Sequence, residues 1–341
     1  MEKYLSNPKN PLKIHTPYDG SSKPFTIGLA QLDEAQWLDE DENFAHYHEE
    51  KLNLYKSLPD KVLVEDEGTR EAQSEVLAIV VEHLLKKYPN IYSLHDNTIS
   101  ITPTTVILAQ AGTQLPYRVE LPKPVPRLRG DDGQVGGDLA LSPLAIAALL
   151  IQEDLVLMRK SAVGWKLVAA SLCFPSAWDL LEKFKRPLHE IHAPVPDFGA
   201  GTRNASLVER MFDNLNPARS VLRWNWSLYG DDRLYHPLSD NGMKRRFGEA
   251  DDITGRVTLR LERQALRKLP QSGDILFTIR IYLDPLEALE RHAEGAALAQ
   301  SIEEQVMAMT DEQIAYKGLA DERARLCARL RKIAAQTKEL I

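Results

Sequence analysis

The sequence predicts an α+β protein, in which an antiparallel sheet lies between helical regions on its N-terminal and C-terminal sides. Two observations support this prediction. Apolar residues occupy every second position in several segments of the second half of the chain, as in strands with one covered face. Outside that part, apolar residues recur at helical spacing. The sequence predicts five strands, which span 154–159, 165–172, 220–228, 255–266 and 274–282.

The N-terminal region begins with a polar arm over residues 1–24 and continues with helices. Its clearest helix spans 69–88, where Val76, Val80 and Leu84 form one apolar stripe. His46 and His48 lie two residues apart on different helix faces, which favours surface histidines over a metal site. Residues 112–137 predict a long loop, and loops of that length are usually functional or mobile.

The order of the strands narrows the fold class further. A short helix precedes them, with Ser142 as its N-cap and Pro143 in its first turn. The first two strands form a hairpin, a helical crossover follows, and the last three strands are antiparallel. This order is typical of a PAS-like five-stranded sheet, whose helices and open face commonly enclose a cofactor. The predicted parts are a helical region with a long loop (1–140), the PAS-like core (141–284) and C-terminal helices (285–341).

Composition excludes several classes of protein. The chain has 42 Lys and Arg against 49 Asp and Glu, a net charge of −7 that does not favour a nucleic-acid partner. Only two cysteines are present, in no Cys-x-x-Cys motif, which argues against zinc, iron–sulfur and covalent haem sites in this chain. Such cysteine use favours a reducing compartment. No stretch is apolar enough for a signal peptide or a membrane span, so we expect a cytoplasmic protein with no membrane partner.

The stretch of most chemical interest contains His189 and His192, followed by Pro194 and Pro196. Proline fixes φ and lacks an N–H, so the backbone after His192 is stiff and cannot continue a helix. This suits an imidazole that is aimed at one point, such as a haem iron. A lone pair of histidines at this spacing is a weak signal, however. From these residues alone, a helix end with one part-buried histidine is the simpler interpretation.

Six segments that follow one another in this order resemble the haem-dependent oxidative N-demethylase family, which includes the haem subunit of dimethylamine monooxygenase. The segments are Phe174–Trp178, Ile191–Pro196, Arg223–Trp226, Leu259–Gln264, Leu269–Pro270 and Leu276–Tyr282. The opening of the chain around Ile27–Leu29, Trp37 and Asp41 is similar too. The resemblance extends over residues 25–282.

The resemblance implies a PAS-like core that holds a b-type haem through one histidine. It also implies O₂ activation at the iron and oxidative removal of a methyl group from a small secondary amine, as in the conversion of dimethylamine to methylamine and formaldehyde. Electrons would come from NADPH through a flavin and an iron–sulfur cluster. The chain has no dinucleotide-binding glycine fingerprint, so these groups would belong to a separate reductase.

The resemblance also assigns site residues. His192 lies in a matching segment and is predicted to be the iron ligand, with His189 as its rival. Trp178 is expected to pack against the haem. The candidates for binding the haem propionates are arginines, because a guanidinium matches carboxylate geometry. The alternative is that these arginines belong to a charged strand face that is only solvated. These arginines are Arg223, Arg260 and Arg263, of which Arg223 is also a catalytic candidate.

Two carboxylates are candidates for binding the cationic amine. Asp197 is the first, although a simple turn residue after Pro196 is the alternative. Glu262 is the second. Its strand has one charged face, which is either solvated or lines a pocket as an internal pair of Arg and Glu, and the sequence favours the two interpretations equally. Cys173 is expected to be a buried thiol rather than an iron ligand.

A PAS-type haem or ligand sensor without turnover is the alternative function. Sensors are normally joined to an output domain, and none is visible in this sequence. A third possibility is a family member that has lost haem and serves as a scaffold, against which the presence of His192 argues.

Overall fold

The computed structural model of the chain describes residues 15–102, 117–120, 141–237 and 245–339. Two sheets form its framework. The strands of the larger sheet are β1 (Ala30–Gln31), β2 (Leu63–Glu65), β6 (Asp154–Ser161), β7 (Gly164–Ser171), β8 (Val221–Tyr229), β9 (Thr258–Lys268) and β10 (Ile275–Pro285). Those of the smaller sheet are β3 (Tyr92–His95), β4 (Thr98–Ile101) and β5 (Tyr117–Glu120).

The larger sheet is antiparallel and has the strand order β1-β8-β9-β10-β6-β7-β2. All of the strands predicted from the sequence are present, and they form its centre. The sheet has seven strands rather than the predicted five, because β1 and β2 extend its two edges. These edge strands have two and three residues, which is too short for an alternating pattern to show.

Helices cover both sides of the larger sheet. They are α1 (Phe44–Ser57), α2 (Pro59–Val62), α3 (Arg70–Lys87), α4 (Pro143–Leu149), α5 (Leu180–Lys183), α6 (Leu188–Ile191), α7 (Arg203–Asn214), α8 (Gly295–Ala308), α9 (Asp311–Tyr316) and α10 (Arg323–Glu339). The Ser142 side chain accepts a hydrogen bond from Ala145 N at the start of α4, which confirms the predicted cap. Within the described ranges, none of these helices has the length and apolarity that a membrane crossing requires.

Side chains of the sheet alternate between two faces. We call the face that carries Met158, Glu262 and Ile279 the crossover face, because the segment between β7 and β8 packs against it. Phe198 and Phe212 from that segment join Met158 and Ile279 in one buried cluster. We call the other side the outer face.

The three predicted parts of the chain share their hydrophobic cores. Val76 of α3 and Leu157 of β6 belong to one cluster, whereas Leu261 of β9 and Leu330 of α10 belong to another. Both clusters lie on the outer face of the sheet. The predicted loop over 112–137 falls outside the described residues except for β5.

The two histidines of α1 differ in burial. His46 is exposed as predicted, but His48 is only 4% exposed, so the prediction of a surface position for it is wrong. Helix α1 is covered on two sides, since Phe44 joins the core cluster that contains α3 and Tyr47 joins the cluster of the crossover face. His48 Nδ1 lies 3.0 Å from the Leu149 carbonyl oxygen.

Candidate functional site

His192 is the residue at which α6 ends. Its backbone N–H donates to the Leu188 carbonyl at 2.9 Å, and its own carbonyl accepts from Val195 N at 2.9 Å. The side chain is part-buried, and its ring centre lies 6.2 Å from that of Phe198. The helix end and the turn that follows it therefore fix the backbone position from which the imidazole extends.

The surroundings of His192 keep its imidazole neutral. Burial, helped by the charges of Arg223 and Lys183, lowers its pKa to about 4. The ring makes no hydrogen bond with any other residue that the structure describes. A neutral imidazole with an available nitrogen is the form in which histidine binds a metal ion.

Trp178 lies near the same helix end. It is part-buried and packs against the cluster of the crossover face, as does Ile191. The Lys183 ammonium links the two, because it lies 5.9 Å from the centre of the Trp178 ring and donates to the Ile191 carbonyl at 2.6 Å. The structure thus places Trp178 on the same side of the sheet as His192.

Arg223 extends from β8 on the crossover face. Its Nη2 donates one long hydrogen bond, of 3.4 Å, to the Thr26 carbonyl. Its Nε is buried and has no hydrogen-bond partner within the described ranges. Burial lowers the pKa of Arg223, an effect that the Glu262 carboxylate opposes. Arg223 therefore retains donors for an anionic ligand.

Glu262 is 8% exposed and lies directly opposite Asn225 in the pairing of β8 with β9. Its Oε2 accepts hydrogen bonds from Gln264 Nε2 at 2.6 Å and from Asn225 Nδ2 at 3.3 Å. Its Oε1 accepts none from the part of the chain that the structure describes. Two amides thus orient the carboxylate through one oxygen and leave the other available.

Lys317 lies immediately after α9, in the C-terminal region, and its side chain contacts β8. It is 8% exposed, and its Nζ donates to the Trp226 carbonyl at 2.6 Å. Burial lowers its pKa to about 8, an effect that Glu262 opposes. Nothing in the sequence indicates this residue, because a lysine at the end of a short polar helix normally faces solvent.

Asp197 stands apart from these residues. It is exposed, with φ at +67°, in a turn that is closed by a 3.1 Å hydrogen bond from Phe198 N to the Val195 carbonyl. Its carboxylate makes no hydrogen bond or ion pair with the other described residues. Its position matches the turn residue that the sequence left open as the alternative.

Arg260 is buried but its donors are committed to the protein. Nε donates to Ser176 Oγ at 2.8 Å, and Nη1 donates to the Arg233 carbonyl at 3.0 Å. Nη2 donates to the carbonyls of Phe174 at 2.8 Å and Leu234 at 3.0 Å. A guanidinium has few N–H groups beyond these, so Arg260 joins backbone segments instead of facing a cofactor.

Arg263 lies on the outer face, away from His192. The strand register places it between Trp224 and Arg280, and its Nη1 donates to the Trp37 carbonyl at 2.8 Å. Residues three apart on a strand point to opposite faces, so Arg260 and Arg263 cannot serve one pocket on the sheet. The structure does not bring Arg263 together with the other predicted site residues.

Cys173 is a buried free cysteine, as predicted. Burial and the nearby Asp154 carboxylate raise its pKa well above the ordinary value, which keeps it a thiol. The backbone N–H groups of Cys173 and Phe174 each donate to Asp154 at 2.8 Å. Asp154 thus shapes the start of the crossover segment.

Metal-binding groups elsewhere are sparse. Among residues with a described position, no group of three or more His, Cys, Asp or Glu side chains is arranged to hold a metal ion. A haem needs only one such ligand from the protein, because the porphyrin supplies the remaining nitrogen ligands, so a single neutral histidine is compatible with the class of haem proteins.

Comparison with known families agrees with this class. The family described as haem-dependent oxidative N-demethylase, alpha subunit-like, matches residues 28–327. The chain belongs to this family, and the family name implies haem-dependent oxidative N-demethylation. The term alpha subunit in that name implies that other subunits exist.

Proposed function

We propose that this chain binds a b-type haem through His192 and demethylates a small secondary amine, with dimethylamine as the expected substrate. Methylamine and formaldehyde are then the products. One oxygen atom of O₂ enters the formaldehyde, and the other leaves as water with the electrons and protons that a reductase supplies. The observation that carries the proposal is the neutral imidazole of His192, held at the end of α6 without a hydrogen bond to the described residues.

The residues around His192 fit a haem. The imidazole is already in its ligand form, and Arg223 has a buried Nε available for a propionate. Trp178 and Phe198 supply apolar surface for the porphyrin. When bound, the haem supplies the O₂-activating redox chemistry. A cleft that is lined by Arg223, Asn225 and residues of the N-terminal region has a cavity of about 10 Å³, which is room for one water molecule.

Glu262 is the proposed anchor of the substrate, in preference to Asp197. A secondary amine is cationic at neutral pH, so it is best held by a carboxylate in a site that excludes water. Glu262 is buried on the crossover face with Oε1 available, whereas Asp197 is exposed in a turn. The ammonium N–H would donate to Glu262 Oε1.

Electrons are proposed to come from NADPH through a flavin and an iron–sulfur cluster on a separate reductase. Cys173 and Cys327 are both buried, and a cluster is normally held by four thiolates. An iron–sulfur cluster would therefore sit on another protein. The alpha-subunit description of the family agrees with such a partner.

We also propose that residues 141–284 form a PAS-like haem-binding core, with 1–140 and 285–341 packed around it. The order β8-β9-β10-β6-β7 at the centre of the sheet supports this proposal, because the last strand of the core lies beside the first. Such an arrangement brings the crossover segment over one face of all of these strands.

Optical spectra of the wild type, His192→Ala and His189→Ala test the haem proposal. We expect a Soret band in the wild type and in His189→Ala, and its loss or shift in His192→Ala. His189 is exposed and only three residues away, so it is a matched control. A wild-type protein that takes up no added haemin would contradict the proposal, and loss of the band in His189→Ala alone would move the ligand to that residue.

Turnover needs a second measurement. Formaldehyde should be released from dimethylamine when the haem-loaded protein is combined with NADPH and a reductase of the proposed type. A protein that binds haem but releases no formaldehyde under these conditions would revive the sensor alternative.

A further inference from the structure

We propose that Gln264 determines the preference of the candidate site for secondary amines, because its side-chain oxygen Oε1 accepts the second N–H of the substrate. A dimethylammonium ion has two N–H groups, and Glu262 Oε1 is proposed to accept only one of them. This inference rests on the proposed function, since it deepens the recognition of the amine there. It implies discrimination against trimethylamine, whose ammonium ion carries a single N–H.

Gln264 and Glu262 form one hydrogen-bonded unit on the crossover face. They are two residues apart on β9, so their side chains extend from the same face of the strand. Gln264 Nε2 donates to Glu262 Oε2 at 2.6 Å, and Gln264 is only 9% exposed. Because an amide oxygen is bonded to the same carbon as its nitrogen, Gln264 Oε1 lies close to the carboxylate.

This hydrogen bond also fixes the orientation of the amide. A carboxylate accepts hydrogen bonds but cannot donate them, so the group that faces Glu262 Oε2 is the NH₂ of Gln264 and not its oxygen. Within the described ranges, Gln264 Oε1 accepts no hydrogen bond. Arg223 lies directly opposite Gln264 in the pairing of β8 with β9, but its hydrogen bond goes to the Thr26 carbonyl. The oxygen beside the proposed anchor is therefore available to a ligand.

Asn225 is the other amide on Glu262, but its surroundings differ. Its Nδ2 donates to Glu262 Oε2 at 3.3 Å, a longer bond than that of Gln264. Asn225 is part-buried and lines the cleft that has room for one water molecule, which can donate to its oxygen. Gln264 does not line that cleft. The Gln264 oxygen gains more from a donor on the substrate, since a buried polar group without a partner is costly.

Apolar side chains next to these residues suit the methyl groups of the substrate. In the pairing of β9 with β10, Ile279 lies opposite Gln264 and Ile281 lies opposite Glu262. Both isoleucines are buried in the cluster of the crossover face. A carboxylate, a second acceptor and an apolar wall thus lie side by side on adjacent strands. This combination matches an ion with one positive charge, two N–H groups and two methyl groups.

The discrimination follows from a hydrogen bond that only one of the two ions can make. When trimethylammonium is bound, its single N–H pairs with Glu262, and a methyl group faces Gln264 Oε1 instead of a donor. A buried acceptor is then left unpaired, which a site built for hydrogen bonding penalises. We expect the wild type to bind dimethylamine about tenfold or more tightly than trimethylamine.

The test measures the Kd of both amines by isothermal titration calorimetry and takes the Kd of trimethylamine divided by that of dimethylamine. Gln264→Met keeps the side-chain volume but removes the acceptor, so this ratio should fall about tenfold. Asn225→Leu removes the other amide on Glu262 and should weaken both amines alike, with no change in the ratio. An unchanged ratio in Gln264→Met, or a fall in Asn225→Leu instead, would overturn the inference.

A second measurement uses the wild-type chain and does not depend on a variant that folds. The side-chain NH₂ signals of Gln264 in the NMR spectrum of the haem-free protein should shift when dimethylammonium chloride is added, because a hydrogen bond to the amide oxygen polarises its N–H groups. Trimethylammonium chloride at equal saturation should shift them less. No shift with dimethylammonium, or equal shifts with the two ions, would contradict the role of Gln264.

The Glu262→Gln variant separates this inference from the proposed function. If dimethylamine binds Glu262→Gln as tightly as the wild type, the proposed anchor is wrong. If Glu262→Gln loses affinity while Gln264→Met keeps the wild-type ratio, the anchor stands and only the role of Gln264 fails. Calorimetry detects amine binding without turnover, so an inactive reductase does not affect either result.

Discussion

The Arg260 guanidinium donates a hydrogen bond of 2.8 Å to the Phe174 carbonyl, and so ties β9 to the start of the crossover segment. The same side chain donates to the carbonyls of Arg233 and Leu234 at 3.0 Å each. Both segments flank the crossover face, on which the candidate site lies. Arg260, which the sequence predicts as a partner of a haem propionate, thus holds the backbone around the site in place.

Replacement of Arg260 by Met should destabilise the fold strongly. Several buried carbonyls would lose their donor at once, and we expect the free energy of unfolding to fall by about 3 kcal/mol or more. Denaturant unfolding measures this change. Arg186 is the control, because it is exposed and only pairs with Glu190 on the surface. Equal effects of Arg260→Met and Arg186→Met would contradict the assignment.

The effects of Arg223→Met and Arg263→Met on haem affinity should show which face of the sheet binds the haem. Arg223→Met should weaken haem binding roughly tenfold or more, since a hydrogen bond to a charged group contributes about 1.5 to 3 kcal/mol. Arg263→Met should leave haem affinity unchanged, because Arg263 lies on the outer face and donates to the Trp37 carbonyl. Haemin titration of the folded variants decides between these outcomes. Weaker haem binding in Arg263→Met alone would refute the assignment of the haem to the crossover face.

Lys51 should be essential for stability. It is completely buried, and its ammonium donates to the carbonyls of Ala148, in the last turn of α4, at 2.8 Å and of Ile151, just after that helix, at 3.0 Å. Lys51→Met keeps the volume but removes these donors, so we expect a loss of about 3 kcal/mol or more. Lys56→Met is the control in the same helix, because Lys56 is exposed. Urea unfolding of both variants should show a large effect for Lys51 only.

His48 should contribute to acid sensitivity. Burial lowers its pKa from 6.5 to about 4, so between these pH values the unfolded chain binds a proton here that the folded chain excludes. The free energy of unfolding therefore falls as the pH drops through this window, by at most about 3 kcal/mol from this residue. His48→Asn should reduce that fall, and His46→Asn should not. Identical pH profiles for the two variants would disprove this contribution.

Much of the fold follows from local pattern. The strands β6 to β10 have eight or more residues and are rich in apolar residues, and β8 alternates apolar and polar residues from Leu222 to Leu228, so they are recognisable from sequence. Helix α4 is recognisable from Ser142 and Pro143, whose roles depend only on their neighbours in sequence. Strands β1 and β2 depend on partners that are distant in the chain, so nothing in their own residues indicates them.

The site was less predictable than the fold. His192 stood out because prolines follow it, and its role as ligand rests on the family resemblance. The sequence could have predicted that Arg263 and Arg260 lie on opposite faces of the sheet, because the two residues are an odd number of positions apart on one strand. The position of Lys317 could not be predicted, because its contact with the Trp226 carbonyl joins residues 91 positions apart. Hydrogen bonds of this kind are fixed by tertiary packing alone.

Strand β1 pairs with β8 only at Val221 and Leu222, and the short length of this pairing has a practical consequence for the rest of the β8 edge. Phe25 and Lys317 shield that edge from opposite ends of the chain, with the Phe25 ring centre 5.3 Å from the Lys317 ammonium. A minimal domain cut to residues 141–284 would expose it, and bare strand edges recruit other strands. We therefore expect such a fragment to self-associate, so attempts to isolate the sheet for spectroscopy should keep both flanking regions.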